Sequence, residues 1–178
     1  MDARATVAGR FIELVRGDIT KESTDAIANA ANAALAGGGG VDGAIHRAGG
    51  PSIMAELNEK YRGCPTGSAV ITRSGRLKAK WVLHAVGPRY RGTPEDPILL
   101  AGAYRACLTL CVEHGLKSVA FPSISTGIYG YPLSEAAPIA LRTVAEHLRE
   151  NPLPELVRFV LFDDSTYAAY QHALASLP

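Results

Sequence analysis

The chain is poor in cysteine, tryptophan and methionine, with three, one and two of them, and its 18 cationic and 17 anionic side chains leave a formal net charge of only +1. Each scarcity excludes something. A small, odd number of cysteines does not make a disulfide framework. Cys107 and Cys111 lie four apart in a helical pattern, but no His or acidic residue stands beside them at ligand spacing, so core packing is expected and no metal. A near-neutral chain exerts no long-range pull on nucleic acid or an acidic membrane, so any phosphate binding must be local in design. No basic stripe interleaved with aromatics argues for RNA binding. Apolar runs stop well short of the ~20 residues of a membrane span. The opening Met1-Asp2-Ala3-Arg4 lacks a charged region followed by an apolar one, so no secretory signal is expected and a cytoplasmic, reduced setting follows.

What is present is an ordinary globular composition with glycine in unusual places. Hydrophobic residues at 47% against 20% charged fit a folded chain and not a disordered one. The 178 residues suit one domain, 1–178, long enough to bury a normal core. Neither internal repeat nor convincing linker is visible; the Pro-rich pieces at 89–97 and 151–154 read as surface connections.

Periodicity alternates between strand and helix. Strands are expected at 11–15, 25–29, 68–73, 81–86, 118–122 and 156–162, and helices at 42–48, 52–61, 98–114, 134–149 and 165–177. Strands separated by helix-length segments imply parallel pairs with helices on both faces of the sheet. The adjoining candidates between 68 and 86 add an antiparallel portion, hence a mixed sheet. Open α/β sheets bind ligands at the carboxyl ends of their strands. Three loops at such ends are chemically unusual: 17–20, 29–43 and 123–131.

The second of these holds Asn29-Ala30-Ala31-Asn32, then Gly37-Gly38-Gly39-Gly40-Val41-Asp42-Gly43, and an Ala-rich helix pattern follows. Four glycines let backbone approach a bulky ligand and adopt φ > 0. A helix N-terminus behind them offers N–H groups to an anion, above all a phosphate. Gly38-x-Gly40-x-x-Gly43 formally matches a dinucleotide fingerprint, but the acidic residue expected after the next strand falls inside a helix pattern, at Glu56 and Glu59. No Gly-Lys-Ser/Thr follows either, which excludes a P-loop. The third loop, Pro122-Ser123-Ile124-Ser125-Thr126-Gly127-Ile128-Tyr129-Gly130-Tyr131-Pro132, can expose successive N–H groups at Gly127 and Gly130 as an anion nest, with tyrosines to wall a sugar or base. Its bland alternative is a Gly-rich turn with aromatics packed on the sheet. Together, two facing anion loops fit a diphosphate. Ser125 lacks a G-x-S-x-G elbow and is not expected to be a nucleophile.

Gly17-Asp18-Ile19-Thr20, Asp25-Ala26-Ile27-x-Asn29-Ala30-Ala31-Asn32, residues 37–47, Cys64-Pro65-Thr66-Gly67, His84-x-Val86-Gly87-Pro88 and residues 124–132 together resemble the macrodomain family, within it the MacroD-type branch that removes ADP-ribose. The resemblance runs from about residue 17 to 170 with the motifs in order. It implies a three-layer α/β/α fold around a mixed, six-stranded sheet.

The resemblance also assigns roles. Asp18, with the backbone of Ile19, would meet the adenine amine; its ordinary role is a turn or N-cap. Phe162 would stack on adenine, although a strand Phe is more often core. Asn32 would bind the distal ribose hydroxyls, an amide matching a diol, or merely cap its loop. N–H groups of Gly39, Gly40 and Val41, and those of Ser125, Thr126, Gly127, Ile128 and Tyr129, would cradle the diphosphate. Tyr131 would pack on the distal ribose. Asp42, with Asn32, is the catalytic candidate: a carboxylate beside a phosphate loop repels the ligand, which makes sense if it orients a water or a sugar hydroxyl at the reacting end. Its ordinary alternative is an N-cap worth ~1 kcal/mol.

His84 is read as a satisfied structural histidine. His46, one helical turn after Asp42, is read first as structural, with orientation of that carboxylate as the alternative. The implied activity is hydrolysis of mono-ADP-ribosylated Asp or Glu side chains and deacetylation of O-acetyl-ADP-ribose, without cofactor or metal, by a monomer whose partners are ADP-ribose and ADP-ribosylated proteins. A non-catalytic ADP-ribose reader and an ADP-ribose 1″-phosphate phosphatase use the same pocket. One departure stands out: residues 73–80 are more basic than the family's usual connection.

Overall fold

A computed structural model describes residues 3–178. Among the described residues, seven strands form one sheet: β1 (Ala3–Val7), β2 (Arg10–Arg16), β3 (Ala26–Ala30), β4 (Ala69–Arg73), β5 (Trp81–Ala85), β6 (Ser118–Phe121) and β7 (Leu156–Leu161), in the order β1-β2-β7-β6-β3-β5-β4. The five central strands run parallel; β1 and β4 are antiparallel edges. The antiparallel pair expected between 68 and 86 is β4 with β5.

The sheet has one strand more than the six expected. β1 pairs with β2 across a two-residue turn at Ala8-Gly9, where φ is 52° and 80°. That backbone suits a tight hairpin, but Ala is an unusual residue at φ > 0, so the turn carried no sequence signal.

Helices cover both faces. α1 (Gly40–Gly49) and α2 (Ser52–Lys60) lie on one, α3 (Glu95–Glu113), α4 (Leu133–Glu150) and α5 (Asp164–Ala175) on the other. Strand alternation sorts the core accordingly. In β3, Ala26 and Ala28 join the cluster of Leu100, Tyr104, Leu141 and Tyr170, whereas Ile27 faces Ile45, Ile53 and Leu57. α4 buries Ala137, Ala140, Leu141, Val144 and Leu148, a 3.6-residue stripe on the sheet. Cys107 and Cys111 pack in the first cluster, and burial pushes the Cys111 thiol up to about 12. α3 begins earlier than expected because Pro97, read as part of a surface connection, sits in the first helical turn, where its missing N–H costs nothing. Asp96 closes the approach, its Oδ2 accepting from the N–H groups of Arg91, Gly92 and Thr93 at 2.9, 2.8 and 3.1 Å. Among the described residues, no helix is long and apolar enough to cross a membrane.

Candidate functional site

A cavity of about 690 Å³ opens over the carboxyl ends of the parallel strands, and all three unusual loops line it. At one end stands Asp18. Its Oδ1 accepts from the Thr20 hydroxyl at 2.7 Å and the Thr20 N–H at 2.9 Å, capping a short 3-10 turn, Ile19–Lys21. The side-chain bond from Thr20 is the larger cause holding the Asp18 carboxyl below its ordinary range. Capping uses Oδ1 and leaves Oδ2 open to the cavity side, so the ordinary role does not preclude the functional one. Phe162 follows β7 and is 81% exposed, lining the cavity instead of joining the core. The Arg16 guanidinium fixes its backbone, Nη2 donating to Phe162 O at 3.1 Å.

The middle of the cavity is backbone. Gly39 is the N-cap of α1 and offers no side chain, so the first N–H groups of the helix, from Gly40, Val41 and Asp42, face outward without intrahelical partners. Gly37 and Gly40 take φ of 82° and 57°. A Cβ at Gly43 would lie 2.7 Å from Gly38 O and 2.9 Å from Arg47 Nη1, so only glycine lets the loop and the Arg47 side chain close over the helix. Opposite, among the described residues, the N–H groups of Ser125, Thr126, Gly127, Ile128 and Tyr129 donate to no protein acceptor. This second loop is tied down from beneath. Ile124 N–H donates to the Tyr104 hydroxyl at 2.9 Å, the Tyr170 hydroxyl donates to Ser123 Oγ at 2.9 Å, and Tyr131 N–H donates to Ser125 O at 2.9 Å. Donors without partners, in two facing loops, have the geometry of an anion nest.

The far end is made of side chains. Asn32 Nδ2 donates to Gly37 O at 2.9 Å and its Oδ1 accepts from Ala36 N–H at 3.1 Å, closing the Ala-rich loop. One N–H and one lone pair remain for a diol. Asp42 is 6% exposed and lines the cavity. Its Oδ1 accepts from Asn29 Nδ2 at 2.7 Å and lies 3.3 Å from His46 Nε2. A Cβ on Gly38 would stand 3.5 Å from Asp42 Oδ2 and 4.0 Å from Asn32 Nδ2, so Oδ2 and the Asn32 amide flank the glycine loop.

The chain is similar to known proteins in both sequence and fold. Residues 28–140 match the family model described as Macro domain. The chain belongs to the macro domain family. This macrodomain is 52% identical to the O-acetyl-ADP-ribose deacetylase of Cronobacter turicensis over 172 residues, 94% of this chain and 97% of that one. A macro domain-containing protein of Streptomyces griseus is 52% identical over 176 residues, 96% and 98% of the two chains. Among solved structures, a variant of the Oceanobacillus iheyensis macrodomain with ADPR superposes with a TM-score of 0.93 at 43% identity, covering 98% of this chain and 97% of that one. A Trypanosoma brucei macrodomain in complex with ADP-ribose gives 0.86 at 41% identity, covering 92% and 68%.

The structure brings the sequence-derived residues together with one exception. Tyr131 is buried and does not line the cavity; its ring packs 5.0 Å from that of Tyr90, in the core under the second loop. Tyr129 lines the cavity in its stead, with the Arg89 guanidinium 4.9 Å from its ring centroid. The ordinary alternative for Asp42 is not what the macrodomain shows either. Asp42 lies inside the first turn of α1, and its carboxylate reaches Asn29 and the His46 ring instead of capping.

Asn29, Arg47 and Arg89 stand at or beside the site without having been expected there. For Asn29 a signal existed: an amide within Ala-Ile-Ala-Asn-Ala, in a strand buried on both faces, must have a partner. The basic loop lines a separate cavity of about 580 Å³ with Arg73, Lys78, Lys80 and Trp81, sharing no residue with the site. Among the described residues, no group of three or more His, Cys, Asp or Glu gathers as a metal site would.

Proposed function

We propose that this macrodomain binds ADP-ribose and hydrolyses its acyl esters, both O-acetyl-ADP-ribose and ADP-ribosylated Asp or Glu side chains of proteins. One observation carries the reading: a buried carboxylate, Asp42, stands at the end of the diphosphate loop with Oδ1 held from behind and Oδ2 on the side of Gly38 and the Asn32 amide. Binding alone needs the loops and the adenine platform, and a carboxylate there only repels the phosphates. Relatives named O-acetyl-ADP-ribose deacetylase, at 50–52% identity, support the enzymatic reading.

In the proposed pose, Phe162 stacks on adenine, Asp18 Oδ2 accepts from its amine, and the two loops donate to the diphosphate. Asn32 holds the distal ribose diol. A water lies between the α-phosphate and Asp42. Its oxygen attacks the anomeric carbon of the distal ribose and the bond from that carbon to the acyl oxygen breaks, while Asp42 orients the water and draws its proton. The acyl group leaves as a carboxylic acid, and ADP-ribose keeps a free hydroxyl. Assistance of this kind contributes ~10²–10⁴-fold.

The test is release of ADP-ribose from a protein modified on acidic residues, and of acetate from O-acetyl-ADP-ribose, by the natural chain. Both are expected. Binding of ADP-ribose without release of either product would make the protein a reader. Release of phosphate from ADP-ribose 1″-phosphate, with both esters untouched, would make it a phosphatase.

A further inference from the structure

We infer that His84, which lies one side chain behind Asn29, is the positioning residue for Asp42, holding the Asn29 amide that orients the carboxylate. The inference rests on the proposed function and adds to it the buried support on which that chemistry stands.

Sheet register places the pieces. Asn29 and His84 are partners in the parallel pair of β3 with β5, so their side chains lie side by side on the face that carries α1. Both are fully buried. Asn29 Nδ2 stands 2.7 Å from Asp42 Oδ1 and 3.1 Å from His84 Nδ1. On the far side of the imidazole, His84 Nε2 is 2.9 Å from Thr72 Oγ1, and that hydroxyl is 2.9 Å from Arg73 O.

Hydrogen-bond logic then admits one assignment. Asp42 Oδ1 is an acceptor, so the Asn29 atom against it has to be the amide nitrogen; the flipped amide would set oxygen against oxygen at 2.7 Å. The second hydrogen of that nitrogen meets His84 Nδ1, which must therefore be unprotonated. The imidazole proton then resides on Nε2 and goes to Thr72 Oγ1, whose own hydrogen goes to Arg73 O. Every donor along this line finds an acceptor, from the carboxylate to the strand backbone.

Two further facts give His84 the deciding place. Asn29 Oδ1 has no hydrogen-bond partner among the described residues, so apart from Asp42 itself only His84 fixes the amide. The His84 ring also stacks with that of His46, centroids 6.2 Å apart, and His46 Nε2 is the other neighbour of Asp42 Oδ1. His84 thus backs both groups that hold Oδ1, leaving Oδ2 on the side of Gly38. A neutral ring is what this line requires, and burial, with His46 as a second cause, lowers its pKa to about 3.

The test uses side chains that copy one nitrogen each. His84→Asn puts an amide oxygen where Nδ1 was and keeps an acceptor for Asn29. His84→Gln reaches the Nε2 position and keeps the bond to Thr72 but loses that acceptor. On O-acetyl-ADP-ribose, His84→Gln is expected to lose roughly tenfold in kcat with the Kd for ADP-ribose unchanged, one hydrogen bond to an orienting group being worth about 1.4 kcal/mol in rate. His84→Asn should recover most of that loss. ¹⁵N NMR of the folded natural chain should show the His84 ring neutral with the proton on Nε2 between pH 5 and 9.

Equal kcat in the natural chain and both variants would overturn the inference, as would equal losses in both or a proton on Nδ1. No turnover in the natural chain with ADP-ribose still bound is instead the failure of the proposed function. The tautomer measurement then decides the hydrogen-bond assignment by itself.

Discussion

The two glycine-bearing loops meet the cavity with glycines, unpartnered backbone N–H groups and left-handed φ values, whereas Asp42 meets it as a carboxylate backed by side chains that lie outside the cavity and are nearly all buried. The two regions share α1: its N-terminus serves the loop, and its third residue, Asp42, belongs to the cluster. Backbone donors recognise charge and tolerate any ligand that presents phosphates in the right place. A buried carboxylate fixed by Asn29 is held in one orientation. On the proposed function, binding and cutting fall to different materials a few residues apart, and each should be open to damage without the other.

The largest effect is expected where the loop closes. Gly43→Val places carbon within 3 Å of Gly38 O and of Arg47 Nη1. Overpacking of this kind costs about 3 kcal/mol, on the order of 100-fold in Kd for ADP-ribose by calorimetry. A near-natural Kd would mean that the loop shifts freely.

The cluster is next, and pH reaches it. Folded, His84 has its pKa lowered from 6.5 to about 3 by burial, with His46 second. Below pH 6.5 the unfolded chain gains a proton that the folded chain refuses, so this part of stability is complete above 6.5 and is lost as pH falls toward 3. At pH 4.5 the loss is about 3 kcal/mol. Urea unfolding at pH 7 and pH 4.5 should therefore show a steeper acid loss in the natural chain than in His84→Asn. Equal losses would remove the buried neutral imidazole from the account.

A smaller change tests the adenine end. Phe162→Ala should weaken ADP-ribose binding about tenfold, since stacking of a base on an aromatic side chain contributes ~1–3 kcal/mol. With Phe162 81% exposed, thermal stability should hardly move, and kcat at saturation should stay put. Smallest of all, Thr20→Val removes one of the two bonds to Asp18 Oδ1 and should weaken binding about twofold, roughly 0.5 kcal/mol.

Much of this was legible in the sequence because local rules wrote it. Glycines before an Ala-rich helix, and a Gly/Ser/Thr loop after a strand, carry their anion-binding geometry in their own backbone. The parallel core followed from the spacing of strands and helices. What escaped depends on distance in space. β1 rests on a turn at Ala8-Gly9 whose φ values Ala seldom adopts, so only pairing with β2 reveals it. Tyr129 and Tyr131 are two apart in one loop, and nothing local says which faces the cavity; the ring of Tyr90 decides, by taking Tyr131 into the core. Asn29 and His84 are 55 residues apart, and their meeting is a matter of register between β3 and β5. His84 was rightly read as satisfied, but what satisfies it leads to Asp42.

The most direct test of a site divided between binding and cutting is Asp42→Ala, measured for ADP-ribose affinity and for ester turnover on the same preparation. In this variant kcat should fall by ~10²–10⁴-fold while Kd stays level or tightens, since a carboxylate beside the phosphates is gone. A Kd that weakens in step with the loss of turnover would contradict it, placing Asp42 with the loops that hold the ligand.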